Sequence, residues 1–148
     1  IIAGDAVTVP VGAATDPILD RFNLAADKAA AIAWKAASVV EVQFPSVPYP
    51  PDLDDTAVVE VHLLAKMLAA SLDTPVLTVS AWEGQGGADI GGNTAALGVA
   101  IADLPVVLAA ANISPHPTCI TIGVTPGAHN TALNDVRLMG AWLEYTRK

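Results

Sequence analysis

The stretch TPVLTVSAW, residues 74–82, decides the fold class because its side chains alternate in character along the chain. Leu77 and Val79 point to one side of an extended chain, while Thr78 and Ser80 point to the other. A period of two residues is typical of a half-buried β-strand, with one face on a core and the other on solvent. The stretch therefore predicts a strand of an antiparallel sheet.

Similar alternation recurs along the rest of the chain. It is clear in residues 40–44, 118–124 and 136–146, and partial in residues 56–64. Turn signals separate these segments roughly every 10 residues, which is typical of an antiparallel β-sandwich or barrel. Residues 57–72 have an alternative interpretation as a helix, because Val61, Leu64, Leu68 and Leu72 fall on one helical face.

Three segments between the predicted strands are interpreted from their composition. FPSVPYPPD, residues 44–52, is proline-rich and predicts a polyproline-like loop. EGQGGADIGGN, residues 83–93, predicts a flexible, glycine-rich surface loop. Residues 95–113 are apolar except where Asp103 and Pro105 interrupt them, so we expect two short strands joined by a turn.

The N-terminal quarter has a different character. DPILDRFNLAADKAAAIAWKAA, residues 16–37, is rich in helix-forming residues, and Asp16-Pro17 resembles an N-cap followed by proline at the first helical position. This pattern predicts a helix. The alternative is a helical turn over residues 17–26 followed by a strand over residues 29–37.

These patterns divide the chain into two parts. Residues 1–37 are predicted to form an N-terminal arm or helical attachment segment, in which residues 1–11 are extended. Residues 38–148 are predicted to form the β-sandwich domain. Apolar residues of the first part, such as Ile18 and Leu19, cannot be buried by an isolated amphipathic segment. We therefore expect this segment to lie outside the sandwich and to contact neighbouring subunits or the particle surface. The alternative is that the sandwich of the same chain covers these residues.

Charge and composition exclude several kinds of partner. The chain has 7 Lys plus Arg against 15 Asp plus Glu, and its net charge of −8 would repel phosphate backbones and anionic membrane surfaces. Its apolar runs are shorter than the roughly 20 residues that span a bilayer. We therefore expect no direct contact with nucleic acid or membrane. Only 15% of residues are charged, which favours a surface that is partly covered by another protein.

The sequence contains no recognisable catalytic or metal-binding motif, so we expect no catalytic, cofactor-binding or metal-binding residues and no enzyme activity. His62, His116 and His129 are far apart and lack ligand spacing. We expect His62, on a predicted strand, to be satisfied or solvated, and His116 and His129, in predicted loops, to be solvated. No serine lies in a GxSxG motif. Cys119, the only cysteine, lies in an apolar run and is interpreted as a small buried hydrophobe.

A cluster of carboxylates, Asp52, Asp54 and Asp55, follows the proline-rich segment. Such a run could hold calcium through oxygen ligands, but it lacks the glycine and the distal glutamate of an EF-hand loop. Asx-turns that end the loop explain these residues without an ion. We therefore expect chelators to leave stability unchanged.

The three tryptophans, Trp34, Trp82 and Trp142, are interpreted as core or interface anchors, and a sugar-binding platform is the alternative. Period-two alternation predicts one core between two sheets. Its predicted members are Val42, Phe44, Val61, Val79, Trp82, Ile120, Ile122, Leu138 and Trp142. In the last strand, Leu143 and Tyr145 are the alternative inward set.

Three segments together resemble a known family. They are VVEVQFPSVPYPPDLDDTAVVEVHLLA (39–65), DTPVLTVSAWEG (73–84) and TCITIGVTPGAHNTALNDVRLMGAWLEYTRK (118–148). This combination resembles the β-sandwich, jelly-roll-type structural proteins of tailed-bacteriophage virions. The shared features are a proline-Asp loop, here PPDLD at 50–54, and a closing strand V-x-L-x-G-x-x-x-E-Y, here at 136–145.

The resemblance implies a jelly-roll-like capsid decoration, head-fibre or tail-associated protein located in the virion. It implies partners that are other copies of the chain, often in a trimer, and other virion proteins. It supplies no catalytic residues. A carbohydrate-binding module is one alternative, and a small α/β tail-completion protein, with helices at 16–37 and 57–72, is another. An enzyme would need a cleft that places His116 or His129 beside a serine.

Overall fold

The computed structural model describes residues 17–21, 30–35, 38–68, 73–84, 87–129 and 135–148. These residues form nine β-strands and one short 3-10 turn, Ala110–Asn112. The strands are β1 (Ile18–Arg21), β2 (Ala30–Trp34), β3 (Val42–Pro48), β4 (Val59–Met67), β5 (Leu77–Glu83), β6 (Gly92–Asn93), β7 (Ala102–Leu108), β8 (Cys119–Pro126) and β9 (Val136–Tyr145).

The strands form two antiparallel sheets. The five-stranded sheet has the order β1-β2-β9-β4-β7, and the four-stranded sheet has the order β3-β8-β5-β6. The inner faces of both sheets contribute to one hydrophobic cluster, which includes Leu63 of β4 and Ile120 of β8. The predicted mainly β sandwich is therefore confirmed.

Alternation along the strands decides which side chains reach the core. In β5, Leu77, Val79 and Ala81 are buried. Trp82 lies three positions after Val79 and therefore on the opposite face of the strand, where it is half-buried. The prediction that Trp82 is a core residue is wrong for this reason.

Strand β9 changes face partway along its length. Gly140 pairs with Leu64 of β4, but the next β4 residue, Ala65, pairs with Leu138. Met139 is thus the extra residue of a β-bulge, and the residues on either side of it alternate out of phase.

The bulge corrects the predicted register of β9. Leu138 is in the core before the bulge, and Leu143 and Tyr145 pack against the core after it. Trp142 consequently points outward and is 42% exposed, so its prediction as a core residue is wrong. The other predicted core residues are all buried.

The predicted helix over residues 16–37 is wrong wherever this segment is described. Residues 18–21 form β1 and residues 30–34 form β2, which pairs with β9 and places Trp34 in the core. Trp34 Nε1 also donates a hydrogen bond of 2.7 Å to the carbonyl of Val40. The strand alternative for residues 29–37 is the better description, and the proposed boundary after residue 37 does not separate this strand from the sandwich.

Residues 1–16, 22–29 and 36–37 lie outside the described residues, as does the predicted extended arm over residues 1–11. The expectation that the N-terminal segment contacts neighbouring subunits stays a prediction.

Two other segments also differ from expectation. Strand β3 continues through Pro45 to Pro48, because it is an edge strand with a register shift between Phe44 and Val47, and an edge strand tolerates missing N–H donors. Residues 95–113 supply one strand, β7, which contains Asp103 and Pro105, together with the 3-10 turn.

Residues 59–67 are a strand, and the helical alternative for residues 57–72 is wrong there. Among the residues that the structure describes, no helix has the length and apolar character needed to span a bilayer.

The carboxylate-rich loop is held against the end of the chain. Leu53 forms a β-bridge with Arg147, and backbone hydrogen bonds of 2.8 Å join Asp54 N to Thr146 O and Lys148 N to Asp52 O. The Lys148 ammonium lies 2.9 Å from the Asp55 carboxylate. The loop between β3 and β4 and the residues that follow β9 therefore form one structural unit.

We expect Trp34→Ala to lower the free energy of unfolding by about 3–5 kcal/mol, since it removes a fully buried aromatic side chain and leaves a cavity. Chemical denaturation monitored by circular dichroism measures the change. Val39→Ala is the matched control because Val39 is 53% exposed, and its effect should stay within about 0.5 kcal/mol. Equal effects of the two substitutions would contradict the placement of β2 in the sandwich.

We expect Asp55→Asn to lower the melting temperature at neutral pH. The His116 backbone N–H and the Lys148 ammonium lower the pKa of Asp55 from 3.8 to about 2. A carboxyl with a depressed folded-state pKa adds stability above its unfolded pKa, and this stability is lost as pH falls toward 2. The difference in melting temperature between the wild type and Asp55→Asn should therefore become smaller between pH 4 and pH 2. His116→Asn is the control, because it keeps the backbone donor and the positive φ of 53° is tolerated by Asn.

Candidate functional site

An open groove lies on the outer face of the four-stranded sheet. Trp82 of β5 pairs directly with Thr121 of β8, and β3 on the other side of β8 contributes Gln43. These three side chains line the groove with Gly84 and Gly87, and its volume is about 300 Å³. We refer to this feature as the Trp82 groove.

The Trp82 groove combines one flat aromatic surface with several hydrogen-bonding groups. Gln43 Nε2 donates a hydrogen bond of 2.8 Å to Glu41 Oε1, which orients the amide. Ser46 Oγ and Thr121 Oγ1 are 2.7 Å apart. A half-buried indole with amide and hydroxyl groups beside it can bind a ligand that has an apolar face and polar edges.

The glycine-rich segment beside the groove is fixed along β5 over its described residues, 87–93. Asp89 Oδ1 accepts hydrogen bonds from Ala81 N at 2.8 Å and from Gly91 N at 2.9 Å. A Cβ atom on Gly91 would lie 1.8 Å from the carbonyl oxygen of Val79, so only glycine fits there. The expectation of a wholly flexible loop is therefore wrong for these residues.

A second cluster lies on the outer face of the five-stranded sheet. His62 of β4 stacks on Trp142 of β9, with ring centroids 5.1 Å apart and planes inclined by 14°. His62 Nδ1 lies 2.8 Å from Asp103 Oδ1 on β7. Its Nε2 lies 3.5 Å from Glu60 Oε2 and 3.4 Å from Glu144 Oε2. We refer to these five residues as the His62 cluster.

Opposing effects act on the pKa of His62. Burial alone would lower it, because the low-dielectric surroundings disfavour the imidazolium. The hydrogen bond to Asp103 and the negative charges of Asp103, Glu144 and Glu60 outweigh burial, so the pKa is raised above its ordinary value of 6.5. The cluster is therefore a place of negative potential that favours a cation.

The two remaining histidines have different surroundings. The His116 side chain is 88% exposed, as expected for a loop. His129, in contrast, is buried, and its Nδ1 and Nε2 lie 2.9 Å and 3.1 Å from the carbonyl oxygens of Gly127 and Lys35. The expectation of a solvated His129 is wrong.

Asp54 forms the turn predicted for it, whereas the Asp52 carboxylate contacts Tyr145 and Arg147 instead. Asp54 Oδ1 accepts hydrogen bonds from the backbone N at 2.9 Å and the hydroxyl at 2.6 Å of Thr56. Cys119, interpreted as buried, is only partly buried at the start of β8.

Neither cluster is evident from the sequence, because the residues of each come from three different strands. Gln43 and Trp82 are brought together only by pairing β3 and β5 with β8. Glu144 lies opposite Glu60 only in the register that the bulge creates. The one local signal is the spacing of Glu60 and His62, which places both side chains on the same face of a strand.

Comparisons with known proteins identify a fold. No protein-family model and no curated protein matches the chain. Among solved structures, a CBM4 structure is similar with a TM-score of 0.50 and 12% identity, over 86% of this chain and 91% of that one. At this identity the likeness shows a shared β-sandwich fold alone.

Two further structures are more distant. Arabinosyltransferase EmbB from Mycobacterium smegmatis has a TM-score of 0.40 and 11% identity, over 86% of this chain and 14% of that one. A structure of infectious bursal disease virus, Gx strain, has a TM-score of 0.34 and 13% identity, over 93% of this chain and 41% of that one. Both scores are too low to show a shared fold.

Proposed function

We propose that this protein is a non-enzymatic structural component of a tailed-bacteriophage virion, such as a capsid decoration, head-fibre or other particle-surface protein. It acts by assembling with copies of itself, with a trimer as the expected form, and with other virion proteins. The observation that carries this proposal is the contact between two motifs that belong to the family resemblance, the PPDLD loop and the closing strand.

The PPDLD loop and the closing strand are far apart in the sequence but adjacent in the fold. Tyr145, the last residue of the closing strand, donates a hydroxyl hydrogen bond of 3.4 Å to Asp52 Oδ1, and the buried Leu53 forms a β-bridge with Arg147 just beyond the strand. Two motifs that resemble the same family and that also depend on each other structurally are stronger support than two unconnected matches. The absence of a catalytic motif in the sequence agrees with an assembly role.

Surface composition also supports assembly. Several large hydrophobic side chains are 42–53% exposed among the described residues: Val39, Val58, Val99, Ile101, Val107 and Trp142. With only 15% of residues charged, these side chains add exposed apolar area, and burying such area against another protein is favourable.

The mass of the native protein tests the assembly proposal. Size-exclusion chromatography with light scattering should give a multiple of the 15.1 kDa chain mass, with three copies as the expected form. Cross-linking followed by denaturing electrophoresis should give the same number of copies. A strict monomer across the micromolar range would contradict self-assembly.

A carbohydrate-binding function is the second candidate, and the Trp82 groove is the observation that favours it. A sugar ring can place its apolar face on the indole of Trp82 while its hydroxyls bond to Gln43 and Thr121. The CBM4 structure, a carbohydrate-binding β-sandwich, supports this alternative at the level of fold. The net charge of −8 favours a neutral sugar over an acidic one.

Polysaccharide binding tests this second function. If the Trp82 groove binds carbohydrate, a neutral polysaccharide in a native gel should retard the wild type, and Trp82→Ala should abolish this retardation. Trp142→Ala should have no effect, because Trp142 lies on the other sheet. Failure of the wild type to bind any member of a panel of neutral polysaccharides would contradict the function, and equal loss in both variants would exclude the groove as the site.

A further inference from the structure

Three possible metal ligands converge on the outer face of the five-stranded sheet. Glu60 and His62 are two residues apart on β4, and Glu144 lies directly opposite Glu60 on β9. Their ligand atoms, one from each side chain, all lie within 4.8 Å of one another. Two carboxylates directly opposite each other on one sheet face repel, and this arrangement is stable when a cation lies between them.

His62 is oriented toward the two carboxylates. Its Nδ1 is 2.8 Å from the Asp103 carboxylate, which accepts the ring hydrogen and leaves the Nε2 lone pair free to bind a metal. The side chain is only 10% exposed, and Nε2 has no hydrogen-bond partner. A histidine whose other nitrogen donates to a carboxylate is typical of metal ligation. Trp142 stacks on the ring and limits its rotation.

The distances fit a metal better than a hydrogen bond. An N–H···O bond has its most common length near 2.9 Å, whereas Nε2 lies 3.5 Å and 3.4 Å from the two carboxylate oxygens. Bonds of about 2.0–2.2 Å to a tetrahedral zinc ion separate neighbouring ligand atoms by about 3.4 Å. A mixed set of one imidazole and two carboxylates suits zinc and related transition metals, while calcium and magnesium prefer oxygen alone.

We propose that Glu60, His62 and Glu144 bind one zinc ion or a related divalent transition metal on the surface of the sheet. Asp103 and Trp142 act as positioning residues for His62. The Glu60 and Glu144 side chains are 31% and 66% exposed, so the ion reaches the site from solvent. Three protein ligands leave the fourth tetrahedral position open to water. This inference is independent of assembly and of sugar binding.

Titration calorimetry of the full chain with zinc tests the site. We expect one ion per chain, and a melting temperature that rises with zinc but not with calcium. Glu144→Gln should weaken zinc binding by more than tenfold. Because the Glu144 side chain is exposed, we expect this variant to fold like the wild type. Asp103→Asn should weaken binding by about 10–100-fold, as is usual when a partner of a metal-ligating histidine is removed.

Two further measurements make the test specific. His116→Asn is the control, because His116 is the other histidine near a carboxylate, with Nδ1 3.8 Å from Asp55 Oδ2, and it should bind zinc like the wild type. Bound Co²⁺ should give the absorption of a tetrahedral complex and should quench the fluorescence of Trp142. In Trp142→Phe this quenching should be absent. Absence of zinc binding, or unchanged binding in both Glu144→Gln and Glu60→Gln, would overturn the proposal.

Discussion

The one-residue bulge at Met139 determines how the five-stranded sheet is used. Because β9 lies between β2 and β4, its inward side chains must fit the core at both ends of the strand. The bulge reverses the alternation, so Leu138 enters the core before it and Leu143 and Tyr145 pack inward after it. Without it, Trp142 would point into the core and Glu144 would not meet Glu60 and His62 on the outer face. One extra backbone residue thus gives this sheet both a continuous core and an outer face on which Glu144 and Trp142 lie beside His62.

The two sheets present different chemistry to solvent, although both use a tryptophan. On the outer face of the four-stranded sheet, Trp82 lies beside the amide of Gln43 and the hydroxyl of Thr121, and the Glu41 carboxylate accepts a hydrogen bond from that amide. On the outer face of the five-stranded sheet, three carboxylates surround the His62 ring on which Trp142 stacks. The difference follows from the neighbouring strands, since Trp82 pairs with a threonine and Trp142 with a histidine. In a β-sandwich the outer faces of the two sheets can differ in this way, because the core separates them and their side chains do not contact each other.

Much of the fold could be predicted because alternation is a local signal. Alternation predicts strands β3, β4, β5, β8 and β9, and it places Leu77 and Val79 of β5 together on one face, although the predicted core also included Trp82 of the opposite face. Strand β2 is only the second choice from the sequence because its alanines favour a helix, and pairing with β9 overrides that preference. The outward direction of Trp142 depends on a bulge with no local signature, and both candidate sites depend on pairing between distant strands. Predicting side-chain clusters of this kind requires the register in which distant strands pair.

Pairing of β2 with β9 has a consequence for how the protein is made. Lys35, which follows β2, and Asp135, which precedes β9, form an ion pair of 2.8 Å across 100 residues of sequence. A ribosome synthesises β2 long before β9 is available. Until then β2, the apolar strand that carries Trp34, is unpaired on its β9 side. Closing such a long loop is entropically unfavourable and slows folding. During this interval the nascent chain exposes an unpaired strand edge, and a chaperone that covers it would raise the yield of folded protein.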